Sequence, residues 1–217
     1  MHDQHAILDW RDGQTPVSTR FDDPYFSLEN GLDEARHVFL QGNGLPARAR
    51  PGFHIAELGF GTGLNLLVTH EALREQRGPV RYTSFEAFPM ARDDVARALR
   101  AFPSLDATPM LDMWGAGRFA LGPLQVEIIQ GDARETLPKW PGRADAWYLD
   151  GFAPAKNPEL WTDALMAEVA RHTAPGGSFA TYTAAGHVRR ALARAGFEVM
   201  RAPGFGRKRH MSLGSLG

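Results

Sequence analysis

From Phe53 onward, the chain alternates between short apolar runs and longer stretches with helical patterning. Short apolar runs are typical of strands buried on both faces, and their alternation with helices indicates a mostly parallel sheet covered on both sides. The pattern predicts strands at 53–57, 80–86, 124–130, 145–149, 178–183, 197–201 and roughly 209–213. It predicts helices at 64–76, 90–101, 158–172 and 185–195. We therefore expect an α/β fold with a sheet of seven strands.

The last two predicted strands are separated only by the link from Ala202 to Lys208. So short a link cannot contain a crossover helix, and we expect the two strands to pair as an antiparallel hairpin. The helix at 158–172 begins with an N-cap pair, Asn157 and Pro158, and Pro175-Gly176-Gly177 should stop it.

Residues 1–50 have a different character, with many aromatic side chains and with prolines and glycines that interrupt any long element. We expect a short hairpin, a helix near 31–40 and then a turn. The chain is therefore divided into an N-terminal extension, 1–50, which packs on the domain, and an α/β domain, 51–217.

Composition narrows the possible functions. The 217 residues are 43% hydrophobic and carry a formal charge of −1, so one compact domain is expected and any nucleic acid must be held by local charge. There is no cysteine, which excludes disulfides and thiolate chemistry, and the eight histidines show no metal-ligand spacing, so we expect no metal. The sequence has no apolar run long enough to span a membrane and no signal-peptide pattern at its start. We therefore expect neither a membrane protein nor an exported one. We expect a cytoplasmic monomer.

A glycine-rich turn follows the first α/β strand. Its sequence, Glu57-Leu58-Gly59-Phe60-Gly61-Thr62-Gly63-Leu64-Asn65, lacks the third glycine at the position that a dinucleotide site requires. An acid before Gly-x-Gly-x-Gly resembles the first motif of S-adenosylmethionine enzymes, whose ligand has a cationic end and no phosphate. We expect the methyl donor to be bound by Glu57, Gly59, Phe60, Gly61, Gly63 and Asn65. The alternative is a turn that only joins strand to helix.

Two further acids stand at strand ends. Glu86 ends strand 80–86, where its carboxylate could accept hydrogen bonds from both hydroxyls of a ribose. Asp132 follows strand 124–130 and could accept from an adenine amino group, or could cap a helix that starts near Arg134. The ends of parallel strands meet at one edge of a sheet, so we expect both acids beside the glycine turn.

Strand 145–149 leads into Asp150-Gly151-Phe152-Ala153-Pro154, in a loop stiffened by prolines. Methyl transfer is an in-line displacement, which requires a correctly directed lone pair more than a metal or a covalent nucleophile. If the acceptor is an amine, Asp150 can accept its hydrogen bond and orient it. Alternatively, Asp150 could only stabilise the loop through an Asx turn next to Gly151. Phe152 could stack on a flat base or could be a core residue.

Several stretches carry a resemblance that runs over nearly the whole chain. The chain resembles the methyltransferase domain of the MnmC family of bifunctional tRNA wobble-uridine modification proteins and its stand-alone counterparts. The matching stretches are Thr15-Pro16-Val17-Ser18, Phe21-Asp22-Asp23-Pro24-Tyr25-Phe26-Ser27, Asn30-Gly31-Leu32, Gly59-Phe60-Gly61-Thr62-Gly63-Leu64-Asn65, Asp150-Gly151-Phe152-Ala153-Pro154-Ala155-Lys156-Asn157-Pro158 and Gly204-Phe205-Gly206-Arg207-Lys208-Arg209.

The resemblance implies a class I, Rossmann-like methyltransferase fold and N-methylation of 5-aminomethyl(-2-thio)uridine at the tRNA wobble position. It implies that Asp150 lies at the acceptor amine, and that the glycine turn, Glu86 and Asp132 surround S-adenosylmethionine. Substrate contacts are expected from Tyr25, Phe26, Phe152, Pro154, Lys156, Arg207, Lys208 and Arg209. Family members with two domains also carry an FAD-dependent oxidase, an activity that we do not expect from these 217 residues. We therefore expect no flavin and a separate enzyme that supplies the aminomethyl group.

Local basic charge favours RNA as a partner. Residues 188–210 hold seven basic residues against Glu198 alone, a net charge of +6. Alternatively, these basic residues could only form a solvated helix face and protect an edge strand from pairing with other chains. Two other functions stay open: a methyltransferase acting on a small-molecule or protein amine, and a non-catalytic module that binds RNA or adenosine. A dehydrogenase is disfavoured by the position of Gly63.

Overall fold

The computed structural model describes residues 5–27 and 30–217. The N-terminal part forms a small antiparallel sheet from three strands, β1 (Leu8–Arg11), β2 (Thr15–Ser18) and β3 (Asp23–Pro24). Helix α1 (Gly31–Ala35) follows and is capped by Asn30, whose Oδ1 accepts from the Asp33 backbone N–H at 3.0 Å. A π-helical turn (Arg36–Leu40) continues it. The predicted hairpin and helix are therefore present.

The main sheet is built from the rest of the chain, with helices between its strands. The elements are β4 (His54–Leu58), α2 (Leu64–Leu73), β5 (Val80–Glu86), α3 (Arg92–Leu99), α4 (Thr108–Asp112), β6 (Arg118–Leu121), β7 (Leu124–Gln130), α5 (Ala133–Thr136), β8 (Ala144–Leu149), α6 (Asp163–Arg171), β9 (Thr173–Thr181), α7 (Gly186–Arg194), β10 (Phe197–Pro203) and β11 (His210–Leu216). Their order across the sheet is β10-β11-β9-β8-β4-β5-β7-β6. Strands β9, β8, β4, β5 and β7 are parallel. Strand β11 is antiparallel to both β9 and β10, so the predicted hairpin is confirmed.

Three details of the sequence prediction were wrong. The sheet has eight strands, because the short, mostly exposed strand β6 pairs antiparallel with β7 at the edge. Its apolar run of three residues is shorter than the roughly four to eight that indicate a strand. The helix expected at 158–172 is a 3-10 turn (Pro158–Trp161) followed by α6, which Thr162 caps. Residues 175–177 lie inside β9, where a bulge against β8 accommodates the proline and glycines.

The core lies on both faces of the sheet, as expected for parallel strands that are buried on both sides. On one face, Ile55, Tyr82 and Tyr148 pack with α2 and with Phe39 from the N-terminal part. On the other face, a cluster around Trp147 packs against α6 and α7. Residues before 50 thus contribute to the same core as the sheet. None of the helices in the described ranges is long and apolar enough to cross a membrane.

Candidate active site

A cavity of about 1060 Å³ lies over the carboxyl ends of β4, β5, β7 and β8. Its volume is at the upper end of the usual range for small-molecule sites. Most of the residues predicted from the sequence line it: Tyr25, Phe26, Gly59, Phe60, Gly61, Asn65, Glu86, Asp132, Asp150, Phe152, Arg207 and Lys208. Glu57, Gly63, Pro154, Lys156 and Arg209 do not line it. Within 5–27 and 30–217, no group of three His, Asp or Glu side chains is arranged to hold a metal ion.

The glycine turn needs its glycines for both conformation and space. Gly59 and Gly61 have φ angles of +83° and +54°, which L side chains rarely adopt. A Cβ on Gly59 would lie 3.2 Å from the Asp150 carbonyl oxygen, and one on Gly61 would lie 3.2 Å from Cδ1 of Tyr25. Gly63 instead faces Met110, with its φ at +74°. The turn therefore packs closely against Tyr25 and the Asp150 loop, and Gly59 and Gly61 both line the cavity.

Glu86 ties the end of β5 to the glycine turn. Its carboxylate accepts from the Gly61 backbone N–H at 2.8 Å and from the Phe88 N–H at 2.7 Å. Burial raises the pKa of Glu86, and these backbone hydrogen bonds oppose the shift. Glu86 lines the cavity, where a contact with the ribose hydroxyls of a ligand stays a prediction.

Asp132 caps α5, as the sequence allowed. Its Oδ1 accepts from the Arg134 backbone N–H at 2.8 Å, and the Arg134 guanidinium bonds to both carboxylate oxygens. Hydrogen bonding to that guanidinium is the main reason that the pKa of Asp132 is lowered. Asp132 also lines the cavity, where contact with an adenine stays a prediction.

Asp150 presents a held carboxylate to the same cavity. Its Oδ1 accepts from the Gly151 backbone N–H at 2.8 Å and its Oδ2 accepts from Asn65 Nδ2 at 2.7 Å. Burial raises the pKa of Asp150 to about 6, against the effect of these two hydrogen bonds. The contact to Gly151 joins adjacent residues, whereas an Asx turn would join Asp150 to the N–H of Phe152, so the turn that the sequence left open is not what holds this carboxylate. Asp150 lines the cavity, and its catalytic role stays a prediction.

Glu57 lies below the glycine turn rather than in the cavity wall. It is fully buried, with Oε1 accepting from Asn65 Nδ2 at 2.9 Å and Oε2 accepting from Ser84 Oγ at 2.7 Å. Burial raises its pKa to about 8, so Glu57 is mostly uncharged at pH 7. It therefore holds Asn65 in place, a role that the sequence motif did not indicate, and direct contact with a donor stays a prediction.

Aromatic side chains from the N-terminal part close one side of the cavity. Phe21 stacks on Phe152 with ring centres 4.7 Å apart, and Tyr25 meets Phe152 edge to face at 4.9 Å. Phe26 meets Phe102 edge to face at 4.9 Å. One face of Phe152 is thus covered by protein, which agrees more with its core alternative than with stacking of a base on that face.

Ionic and backbone contacts fasten the N-terminal part to the Asp150 loop. Asp23 Oδ2 accepts from the Ala153 backbone N–H at 2.8 Å, and Lys156 Nζ lies 2.5 Å from Asp22 Oδ2. Lys156 therefore forms an ion pair outside the cavity, and Pro154, within the loop, is buried. Their contact with a substrate stays a prediction.

The turn between β10 and β11 forms the opposite side of the cavity. Lys208 Nζ lies 2.7 Å from Glu34 Oε1 and 4.3 Å from the centre of the Tyr182 ring. The Tyr182 hydroxyl donates to the Gly151 carbonyl at 2.8 Å. Sequence reasoning missed Glu34 and Tyr182, because only the packing of α1 and β9 around the cavity brings them together. Arg209, on the same turn, is exposed to solvent.

Part of the predicted basic cluster serves the fold. Arg194 on α7 pairs with Asp163 on α6, and Arg189 Nε donates to the Ala184 carbonyl at 3.3 Å. The cluster is therefore not one continuous surface reserved for a partner, although Arg207 and Lys208 do border the cavity.

The chain is similar to known proteins in both sequence and structure. It is 47% identical to the tRNA 5-methylaminomethyl-2-thiouridine biosynthesis bifunctional protein MnmC of Chromobacterium violaceum, over 99% of this chain and 35% of that protein. It is 46% identical to the protein of the same name from Aeromonas hydrophila, over 97% of this chain and 35% of that protein. The chain thus spans about a third of the length of these curated relatives.

Solved structures support the fold. The crystal structure of MNMC2 from Aquifex aeolicus is 28% identical and superposes with a TM-score of 0.77, over 99% of this chain and 72% of that one. Spermidine synthase from Thermotoga maritima shares the fold at 12% identity and a TM-score of 0.59, over 97% of this chain and 72% of that one. The family described as S-adenosyl-L-methionine-dependent methyltransferase matches residues 108–217. The expected class I, Rossmann-like fold is confirmed, and this chain belongs to the S-adenosyl-L-methionine-dependent methyltransferase family.

Proposed function

We propose that this chain methylates the primary amine of 5-aminomethyl(-2-thio)uridine at the tRNA wobble position, giving the 5-methylaminomethyl form. The observation that carries the proposal is the match of 97–99% of the chain, at 46–47% identity, to relatives named for 5-methylaminomethyl-2-thiouridine biosynthesis in tRNA. The position of Asp150 in a cavity large enough for a donor and an acceptor supports it.

The residues around the glycine turn fit S-adenosylmethionine. Gly59 and Gly61 line the cavity, where the donor would lie against their backbone. Glu86 would accept from its ribose hydroxyls, and Asp132 from its adenine amino group. The bound donor supplies a methyl group activated by a positively charged sulfur. Two of these carboxylates are already held by backbone or guanidinium hydrogen bonds, so little further ordering is needed when a ligand arrives.

Asp150 would act on the acceptor amine. An alkyl amine with a pKa near 10 is neutral only about once in a thousand molecules at pH 7, which costs about 4 kcal/mol. Because burial raises the pKa of Asp150 to about 6, its carboxylate is a better proton acceptor than an exposed aspartate. Asp150 would take up the proton that the ammonium group loses, and the neutral nitrogen would then be free to attack the methyl group that the bound donor supplies. Alignment of this displacement contributes up to roughly 7–11 kcal/mol.

RNA contact is proposed for the basic turn between β10 and β11, which carries Arg207, Lys208 and Arg209 beside the cavity. The aminomethyl group would come from a separate enzyme, since amine formation is not a methyl transfer, and no flavin or metal is proposed for these residues. Activity on tRNA would place the protein in the cytoplasm, and we propose a monomer.

The test uses radiolabelled S-adenosylmethionine and tRNA from cells that lack the modification. Wild type should place label in 5-methylaminomethyl-type uridine, Asp150→Asn should lose at least about a hundredfold in rate while still binding the donor, and Asp93→Asn, at an exposed position on α3, should match wild type. Donor binding without any labelled nucleoside would refute the tRNA proposal and favour a small-molecule or protein amine, or a binding module.

A further inference from the structure

Lys208 places an alkylammonium group in a cation site at the mouth of the cavity. Its Nζ is 2.7 Å from Glu34 Oε1 and 4.3 Å from the centre of the Tyr182 ring. A carboxylate and the face of an aromatic ring both attract an alkylammonium ion. Only 12% of the Glu34 side chain is exposed, so this carboxylate is largely withdrawn from water and needs a cationic partner.

This cation site adjoins Asp150. The Tyr182 hydroxyl donates to the carbonyl of Gly151, the residue after Asp150, and Glu34, Tyr182 and Asp150 all line one cavity. Beside the main effect of burial, Glu34 raises the pKa of Asp150 and Lys208 lowers it, as expected for charges that lie close together. A cation that left Glu34 would therefore stay close to a second carboxylate, that of Asp150.

The acceptor of the proposed function is also a primary alkylammonium ion at neutral pH. We propose that Glu34 and Tyr182 form the entry subsite for the substrate's ammonium group, and that Lys208 occupies this subsite until RNA binds. The inference rests on the proposed function for the identity of the acceptor. Lys208 stands between Arg207 and Arg209 in the basic turn, so an arriving phosphate would offer it a new anionic partner. Glu34 is then released to hold the substrate's ammonium beside Asp150.

Glu34 would thereby set specificity. A uridine whose 5-substituent is cationic would be held, whereas one with a neutral hydroxymethyl or an anionic carboxymethyl group would leave the carboxylate unpaired or repelled. The subsite thus selects an amine before the methyl group is transferred.

The first test substitutes Glu34→Gln, with Glu75→Gln as the control at an exposed position. For Glu34→Gln, KM for tRNA should rise at least about tenfold, since a hydrogen bond between charged groups contributes that much or more. Its kcat should change less than about threefold, and its donor affinity should equal that of wild type, because the glycine turn is untouched. An unchanged KM in a variant that still binds the donor would overturn the inference.

The second test substitutes Lys208→Met, with Lys139→Met as the exposed control outside the cavity lining. With the free nucleoside 5-aminomethyluridine as acceptor, Lys208→Met should have a higher kcat/KM than wild type, because the subsite is vacant and no phosphate is needed to clear it. With tRNA it should bind more weakly, because a phosphate contact is lost. No gain with the nucleoside would overturn the inference, whereas a wild type that never methylates tRNA would refute the proposed function.

Discussion

Asn65 donates through Nδ2 to Oδ2 of Asp150, at 2.7 Å. The same nitrogen lies 2.9 Å from Oε1 of the buried Glu57. One side chain at the start of α2 therefore links the carboxylate at the cavity to a carboxyl group in the core. Because a hydrogen bond to the ionised form favours ionisation, Asn65 holds down the pKa of Asp150 against the effect of burial.

Asn65→Leu should shift the acid limb of the pH–rate profile. Without the amide, the pKa of Asp150 rises above about 6, so the carboxylate is lost at a higher pH. Loss of a hydrogen bond to a charged group shifts a pKa by about one to two units, so kcat/KM at pH 7 should fall about two- to tenfold. It should partly recover at pH 8.5. The profile of methylation against pH for both proteins tests this, and an unmoved acid limb contradicts it.

Glu57→Gln should remove a pH dependence of stability. The folded pKa of Glu57 is about 8 and its ordinary value is 4.5, so the folded protein keeps a proton that the unfolded chain releases. Stability from this group is therefore complete below pH 4.5 and declines as the pH rises to 8, by about 1.4 kcal/mol for each pKa unit. Glutamine keeps the oxygen that accepts from Asn65, and the Ser84 hydroxyl can rotate to accept from the new amide.

Urea unfolding of wild type and Glu57→Gln at pH 6.5 and pH 8.5 measures this effect. This pH interval lies mostly above the range in which two other groups change their protonation. Burial lowers the pKa of His54 to about 4, so it affects stability below pH 6.5, and the pKa of Asp150 is about 6. Wild type should lose stability relative to the variant as the pH rises. Equal pH dependence in the two proteins would show that Glu57 is already ionised when folded.

Gly59→Ala and Gly115→Ala should separate backbone strain from loss of the site. The φ angles match, at +83° and +88°, so each variant should lose about 1–2 kcal/mol of unfolding free energy. A Cβ at Gly115 meets nothing within 4 Å, whereas one at Gly59 would press on the Asp150 backbone. Only Gly59→Ala should lose donor affinity in calorimetric titration. Equal affinities in the two variants would show that the contact between residue 59 and the Asp150 backbone does not matter for donor binding.

Arg209→Ala should weaken tRNA binding without any effect on the donor. Arg209 is exposed on the turn beside the cavity, and removal of one phosphate contact should reduce the slope of log affinity against log salt by about one. The matched control is Arg77→Ala, which is also exposed but lies in the loop between α2 and β5. If both variants keep the wild-type slope, Arg209 does not contact phosphate.

Local patterns were sufficient for the parallel part of the sheet. Glu86 and Asp132 were correctly expected at one edge, because each follows an apolar run and parallel strands end on the same side. Strand β6 was missed because its four residues pair at an edge, where sheet hydrogen bonds rather than buried side chains define a strand. The proline and glycines of 175–177 were expected to end a helix, but they lie in a bulge of β9. A bulge depends on pairing with the neighbouring strand, so one segment of sequence cannot reveal it.

The sequence by itself determined the α/β pattern, the glycine turn and the acids at strand ends, because these depend on residues close together in the chain. Only the tertiary structure decided which groups the acidic side chains contact. Glu57 bonds to Asn65 and Ser84 below the glycine turn. Lys156 pairs with Asp22, which is distant in sequence. The pairing of Lys208 with Glu34 likewise required β10, β11 and α1 to fold around one cavity, a relation that no local segment contains.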